Sequence, residues 1–165
     1  MALADIDTIV FAMMENRSFD HMMGYLSLDE TPHRMAVEGL RSDNAWRGAH
    51  SNMYNGASYP VRPLSGNETI DDPPHGYESI GKQIDTPPHG PGPTRMGGFV
   101  ESYVKFSNPP PHDRGAVMGY YDAKTVWMYD FFARNYCVCD HWFAALPLGT
   151  QANRPIVRPG LVRYC

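Results

Sequence analysis

The sequence predicts an α/β protein in which a mostly parallel sheet is joined by crossover helices and long loops. An apolar, β-branched run from Ile6 to Met13 is typical of a strand buried on both faces of such a sheet. A second stretch of strand composition, Tyr136 to Phe143, follows several helical patterns. Glycine and proline supply 15 residues each, so the connections must be long. At 165 residues the chain fits one domain.

The first strand is predicted to end in a tight turn and a short helix. Glu15 and Asn16 follow the apolar run, and Ser18 is a good N-cap for a helix from Phe19 to about Leu26. Open α/β sheets bind ligands at this edge, and a carboxylate beside a carboxamide offers two hard oxygen donors to a divalent metal. The alternative is that Glu15 and Asn16 form an ordinary solvated turn without a ligand. Position and chemistry alone favour this alternative. Asp20 and His21 are predicted on the helix surface or behind the metal ligands.

Residues 29–74 show little periodicity and are predicted to form a long, partly structured lid. After it, His75 opens a helical stretch that continues to Asp85. The start of a helix favours phosphate, because free backbone N–H groups and the helix dipole point there. A structural or surface histidine is the alternative, and residue type alone favours it.

The second half of the chain alternates loops with helices. Residues 86–96 carry four prolines and are predicted to be a loop. A helix is predicted over 98–106, an irregular segment over 107–114, and the clearest amphipathic helix over 124–136. The strand-like stretch that follows leads the chain towards Gly149 and Thr150.

Thr150 lies where a helix of about four residues is predicted to begin, before Pro155. A hydroxyl at a helix N-terminus is well placed for phosphate chemistry, but it needs a metal or a base to attack at neutral pH. Gly149 is predicted to let the backbone approach a ligand closely. The alternative is an ordinary N-cap, which residue type alone favours.

Several sequence blocks resemble, in the same order, the motifs of one known family. They are Glu15-Asn16-Arg17-Ser18-Phe19-Asp20-His21 with Gly24, then Asp72-Pro73-Pro74-His75, then Met118-Gly119-Tyr120-Tyr121-Asp122, Cys139-Asp140-His141-Trp142-Phe143 and Gly149-Thr150-Gln151-Ala152-Asn153-Arg154. The chain is similar to the bacterial phosphoesterase family that contains phosphatidylcholine-type phospholipase C and a group of acid phosphatases. The similarity covers nearly the whole chain, to about Arg154.

The resemblance implies an alkaline-phosphatase-like fold and a metal-dependent hydrolysis of phosphate esters. A phospholipid head group is among the candidate substrates. Glu15 and Asn16 are implied to bind a divalent metal ion together with Thr150, which is implied to be the nucleophile of a phospho-threonine mechanism. Asn153 is implied to donate to a non-bridging oxygen of the substrate. His75 is expected to contact the phosphate or to assist the leaving group.

Composition excludes several other classes of function. The net charge is −4, the pI is near 5.9 and there is no Lys/Arg cluster. The chain therefore offers no basic surface for nucleic acid or an anionic membrane. The sequence shows no signal peptide and no apolar run of transmembrane length, so a cytoplasmic location is expected for the given sequence. Members of the resembled family are often exported. Three cysteines fit neither a disulfide framework nor a zinc site.

The chain also departs from the family that it resembles. The family completes its metal centre with acidic and histidine ligands from a C-terminal half, and this sequence contains no counterpart of that half. Residues 155–165 also diverge from the continuation that the resemblance predicts. The expectation is therefore a single partial phosphoesterase domain over 1–165. The alternative is a truncated or frame-shifted, catalytically incompetent remnant that acts as an interaction module.

Overall fold

The computed structural model describes residues 7–14, 17–28, 35–66, 68, 70–85, 96–108 and 110–157. Helices and short strands are mixed along these ranges, in keeping with a partial α/β domain. In chain order they are α1 (Phe19–Met23), α2 (Asn44–Ala49), β1 (Asn52–Tyr54), β2 (Ala57–Tyr59), β3 (Arg62–Pro63), α3 (Tyr77–Asp85), α4 (Phe99–Phe106), β4 (Gly119–Tyr120), α5 (Trp127–Asn135) and α6 (Thr150–Val157). Short 3₁₀ helices, Gly24–Ser27 and Ala116–Met118, precede α2 and β4. In none of these ranges is a helix long and apolar enough to cross a bilayer.

The strands form two small pairs. β1 and β2 make an antiparallel hairpin whose turn places Asn55 at φ 48° and Gly56 at φ 78°. Asn-Gly suits this left-handed turn because both residues tolerate positive φ. β3 and β4 are parallel, with Arg62 opposite Gly119. This second pair ties together chain segments that lie far apart in the sequence.

Two predicted strands are wrong for the residues that the structure describes. Residues 7–14 have no regular secondary structure, and Val10 is 85% exposed. Residues 136–143 also form no strand. A strand needs a neighbour for its N–H and C=O groups, and no described strand pairs with either segment. Of the predicted parallel sheet, the described ranges therefore contain only the β3–β4 pair.

The predicted helices are confirmed with small changes in their ends. The Ser18 hydroxyl accepts a hydrogen bond from the His21 N–H at 3.1 Å, as expected of the N-cap of α1. The three helices α3, α4 and α5 fall within the predicted ranges. α6 begins at Thr150, as predicted. It continues past Pro155 to Val157, whereas the predicted helix ended before Pro155.

The main core packs α1 and its 3₁₀ extension against β4 and α5. Its buried members are Met22, Tyr25, Leu26, Leu28, Leu40, Tyr120, Val126 and Ala133. His21 lies beside this core and is only 6% exposed, so its predicted place on the helix surface is wrong. Its Nδ1–H donates to Gly119 O at 2.7 Å, and its own carbonyl accepts from Tyr121 N at 2.9 Å. These two bonds hold the first motif to β4.

The stability of the fold is expected to fall as the pH drops below about 6.5. Burial lowers the pKa of His21 from 6.5 and nearby Arg17 adds to the effect, although the hydrogen bond to Gly119 opposes it. The unfolded chain therefore binds a proton at a higher pH than the folded chain. The stability that neutral His21 contributes is fully present above about pH 6.5. It is lost as the pH falls from there to the lower pKa of His21 in the folded chain. Urea unfolding between about pH 7.5 and 5.5 should show a slope that His21→Gln reduces; an equal slope in both proteins would contradict this assignment.

The predicted lid is partly anchored in the fold. Its described portion contains α2, the β1–β2 hairpin and β3. Asn52 in β1 is fully buried, and its Oδ1 accepts from Phe99 N at 2.6 Å and from Val100 N at 3.2 Å. Its Nδ2 donates to Met96 O at 3.2 Å. Asn52 thus caps α4 from a distant part of the chain.

Asn52→Ala is expected to lower the free energy of unfolding by about 3 kcal/mol, because it leaves buried N–H groups of α4 without an acceptor. Urea denaturation measures the change. Asn44→Ala is the matched control, since Asn44 is exposed at the start of α2 and should change stability by no more than about 0.5 kcal/mol. Equal losses in the two variants would show that Asn52 does not cap α4.

Candidate functional site

Two residues predicted to be catalytic, His75 and Thr150, line the same concave site. It has a volume of about 480 Å³ and lies where α6 begins. Its lining residues are His75, Leu148, Gly149, Thr150, Gln151, Ala152 and Arg154. Both predicted catalytic side chains are half-buried. The fold therefore brings the second and the last motif together.

The segment that carries His75 is held by the two helices behind it. Gln83 of α3 donates from Nε2 to Pro74 O at 2.8 Å. Tyr103 of α4 donates its hydroxyl to Asp71 O at 3.1 Å. A proline has no N–H, so Pro74 is held through its carbonyl. Contacts from α3 and α4 therefore hold the segment that carries His75 at the entrance to α3.

The His75 ring has a defined orientation. Its Nδ1 lies 2.9 Å from Pro73 O, and a carbonyl can only accept, so Nδ1 carries the proton. Nε2 then accepts a hydrogen bond in the neutral ring and donates one in the protonated ring. The ring lies against Gly149, because a Cβ built there would be 2.9 Å from His75 Cδ2 and 3.7 Å from Nε2. Gly149 was predicted to let the backbone approach a ligand closely. In the structure its missing side chain leaves space for the His75 ring.

Gly149→Ala is expected to push His75 out of its position, because a Cβ–carbon distance of 2.9 Å is too short for real contacts. The His75 ring signals in NMR spectra should therefore shift. Gly48→Ala in α2 is the matched control, since a Cβ there meets nothing within 4 Å. Unchanged His75 signals in Gly149→Ala would contradict the contact.

Asn153 braces the loop before Thr150. Its Nδ2 donates to Leu146 O at 3.1 Å, to Leu148 O at 2.7 Å and to Gly149 O at 3.3 Å. Its Oδ1 accepts from Leu146 N at 3.0 Å. In this conformation the amide hydrogens point to backbone carbonyls and fix the turn that presents Thr150. Its predicted contact with substrate stays a prediction.

Glu15 and Asn16 lie outside the described residues, so their predicted convergence with Thr150 stays a prediction. The neighbouring Arg17 is described, and its Nη1 lies 3.8 Å from Asp72 Oδ1. Asp72 is exposed, so this ion pair contributes little energy. It nevertheless shows that Arg17 of the first motif lies beside the segment that leads to His75.

The described ranges contain no group of three or more His, Cys, Asp or Glu side chains that could hold a metal ion. The oxygen donors of the predicted metal site are thus Thr150 together with the two residues outside these ranges. Arg154 also lines the cavity, where its cationic side chain suits an anionic substrate. Sequence reasoning gave Arg154 no role, although its place after Asn153 in the last motif was a usable signal.

Comparison with known proteins supports the similarity over most of the chain and extends it beyond Arg154. A model of the Phosphoesterase family matches residues 6–162. Non-specific phospholipase C5 of Arabidopsis thaliana is 30% identical over 160 residues, covering 90% of this chain and 29% of that protein. Phospholipase C B of Mycobacterium tuberculosis (strain ATCC 25618 / H37Rv) is 28% identical over 166 residues, covering 92% and 29%. The chain spans less than a third of the length of the curated relatives it matches.

Proposed function

Because the chain belongs to the Phosphoesterase family, we propose that it forms part of a hydrolase that acts on phosphate esters. The observation that supports this most strongly is the shared cavity of His75 and Thr150, which come from separate motifs. Arg154 adds a positive charge to the same cavity. A hydroxyl, an oriented imidazole and a guanidinium can serve phosphoryl transfer as nucleophile, proton donor and stabiliser of negative charge.

In the proposed mechanism Thr150 is the nucleophile. Thr150 first loses its hydroxyl proton to solvent water, and the Oγ1 alkoxide then forms a bond to phosphorus while the bond from phosphorus to the leaving alcohol breaks. The Nε2–H of protonated His75 gives its proton to the departing alkoxide oxygen. Water then attacks the phospho-threonine, neutral His75 takes the proton from that water, and Thr150 leaves as the alkoxide with which the cycle began. The tautomer set by Pro73 O leaves Nε2 available for both proton transfers.

We propose that Glu15, Asn16 and Thr150 bind a divalent metal ion through their side-chain oxygens. The chemistry of this donor set fits a metal that prefers oxygen ligands. When bound, such an ion would lower the pKa of the Thr150 hydroxyl and polarise the phosphoryl group. Additional donors would come from the part of the relatives' sequences that lies outside the matched region.

Asn153 is proposed to act in two ways. It fixes the turn before Thr150 through its contacts with the carbonyls of Leu146, Leu148 and Gly149. Its contact with a non-bridging phosphate oxygen would follow when one of these carbonyl partners is released. The longest bond, 3.3 Å to Gly149 O, is the weakest of the three.

The finer features of the proposal concern fold and substrate. We propose an alkaline-phosphatase-like sheet for the complete domain, with residues 29–74 as a lid over the cavity. The relatives named phospholipase C support a phospholipid head group as the substrate. An interaction module without catalytic activity is the second candidate, because the match covers only 29% of non-specific phospholipase C5.

Hydrolysis assays separate these candidates. The substrates are p-nitrophenyl phosphate and p-nitrophenylphosphocholine, each with Ca²⁺, Mg²⁺, Mn²⁺ or Zn²⁺. The chain alone is expected to bind metal weakly and to turn over little substrate, since metal sites usually need three or more protein donors. The chain supplemented with the remainder of a phosphoesterase domain is expected to hydrolyse at least one substrate in a metal-dependent way. A correctly assembled complex without any hydrolysis would support the interaction module.

A further inference from the structure

The side-chain amide of Gln83 in α3 donates hydrogen bonds to two different parts of the fold. Its Nε2 donates to Pro74 O at 2.8 Å and to Ser102 Oγ at 3.1 Å. A carbonyl oxygen can only accept a hydrogen bond, so the nitrogen of the amide faces Pro74. One side chain therefore joins helix α4 to the segment that carries His75.

The bond to Ser102 belongs to a buried polar contact between α3 and α4. Ser102 is fully buried, and its hydroxyl donates to Ser79 O at 3.1 Å while its oxygen accepts from Gln83. The main-chain carbonyl of Gln83 accepts from Gly98 N at 3.3 Å, just before α4 begins. These contacts hold Gln83 in place through both its side chain and its main chain.

The segment to which Gln83 donates is stiff. The rings of Pro73 and Pro74 fix φ at about −65°, and a residue that precedes a proline is restricted to extended conformations. The position of Pro74 O therefore largely determines the position of Pro73 O, one peptide away. Pro73 O is the oxygen that accepts from Nδ1 of His75 at 2.9 Å. A single hydrogen bond to Pro74 can thus control the partner of the His75 ring.

We propose that Gln83 is a positioning residue for His75. By holding Pro74 O, it keeps Pro73 O at Nδ1, so the proton of the neutral ring stays on Nδ1 and Nε2 remains available for proton transfer. Gln83 does not line the cavity, so it acts on His75 through the main chain of the segment. Its role in hydrolysis rests on the proposed function, whereas its effect on the ring does not.

NMR spectra of the isotope-labelled 165-residue chain test the effect on the ring, because nitrogen chemical shifts show which imidazole nitrogen carries the proton. In the unchanged chain we expect the proton of neutral His75 on Nδ1. Gln83→Met keeps the length of the side chain and removes both hydrogen-bond donors. Pro74 O then turns to water, and the Nδ1–H form should give way to a mixture with the Nε2–H form. A variant that retains the Nδ1–H form at the level of the unchanged chain would overturn the proposal.

Ser102→Ala is the matched control for Gln83→Met. It removes the hydroxyl between α3 and α4 but leaves the bond from Gln83 to Pro74. It should therefore lower the urea concentration at the midpoint of unfolding while the His75 ring signals stay unchanged. Equal changes of the ring signals in both variants would show that Gln83 acts through general stability, and would overturn the proposal.

Hydrolysis provides the second measurement, made on the chain supplemented with the remainder of a phosphoesterase domain, which we call the assembled domain. Gln83→Met should lower kcat about tenfold with little change in KM, because the proton donor is displaced while Thr150 and Arg154 keep their places. Ser102→Ala should leave kcat unchanged. An unchanged kcat in Gln83→Met would overturn the role of Gln83 in hydrolysis. If the unchanged assembled domain hydrolyses no phosphate ester, the proposed function fails, and the ring signals still decide whether Gln83 positions His75.

Discussion

Thr150→Ala is expected to lower phosphate-ester hydrolysis by the assembled domain at least about 10³-fold. A methyl group cannot form the covalent bond to phosphorus, and no other hydroxyl side chain lines the cavity in the described residues. If Thr150 only capped α6, the change would cost about 1 kcal/mol of stability and leave turnover intact. Initial rates with p-nitrophenylphosphocholine, together with urea unfolding, distinguish these outcomes.

Two further variants serve as controls for Thr150→Ala. Thr150→Ser keeps a hydroxyl and should retain measurable turnover. Thr125→Ala removes a threonine outside the cavity, whose hydroxyl donates to Asp122 Oδ1 at 2.8 Å, and should hydrolyse normally. Near-normal turnover in Thr150→Ala would assign Thr150 to a structural role and exclude the phospho-threonine mechanism.

His75→Ala is expected to lower the rate constant for hydrolysis about 10²-fold or more, because it removes a general acid and base from the cavity. The loss should be greatest for substrates with poorly acidic leaving alcohols, since their oxygen needs the proton most. Comparing p-nitrophenylphosphocholine with an alkyl phosphocholine measures this dependence. A structural role of His75 would slow both substrates equally.

His112→Ala is the matched control for His75→Ala. His112 is 96% exposed, and its ring lies 3.8 Å from the carboxylate of Asp71 without lining the cavity. Its removal should leave hydrolysis close to the level of the unchanged protein. Similar losses in both variants would show that general destabilisation, and no property of the cavity, explains the effect of His75→Ala.

The sequence predicted elements that depend on neighbouring residues better than elements that depend on distant ones. Ser18 caps α1 as expected, and the spacing of apolar residues correctly located α5. The strands predicted from Ile6 to Met13 and from Tyr136 to Phe143 are wrong for the described residues, because a strand needs a partner from elsewhere in the chain, which composition does not reveal. Cap and helix signals, by contrast, lie within a few residues of one another.

The candidate site shows the same limit. His75 and Thr150 were selected from their motifs, and the structure places both at one cavity. The contact between His75 and Gly149 was not predictable, because it depends on how two distant loops meet. The buried state of His21 was missed for a similar reason, since its partner Gly119 is 98 positions away.

In the proposed metal site, Glu15, Asn16 and Thr150 bind one metal ion beside His75. Paramagnetic broadening by Mn²⁺ in NMR spectra of the isotope-labelled chain tests it most directly, because broadening reports distance even when binding is weak. We expect the signals of these four residues to broaden first, and Thr150→Ala to reduce the effect at Glu15. Broadening confined to the exposed carboxylates Asp71 and Asp113, with Thr150 and Glu15 unaffected, would contradict the claim.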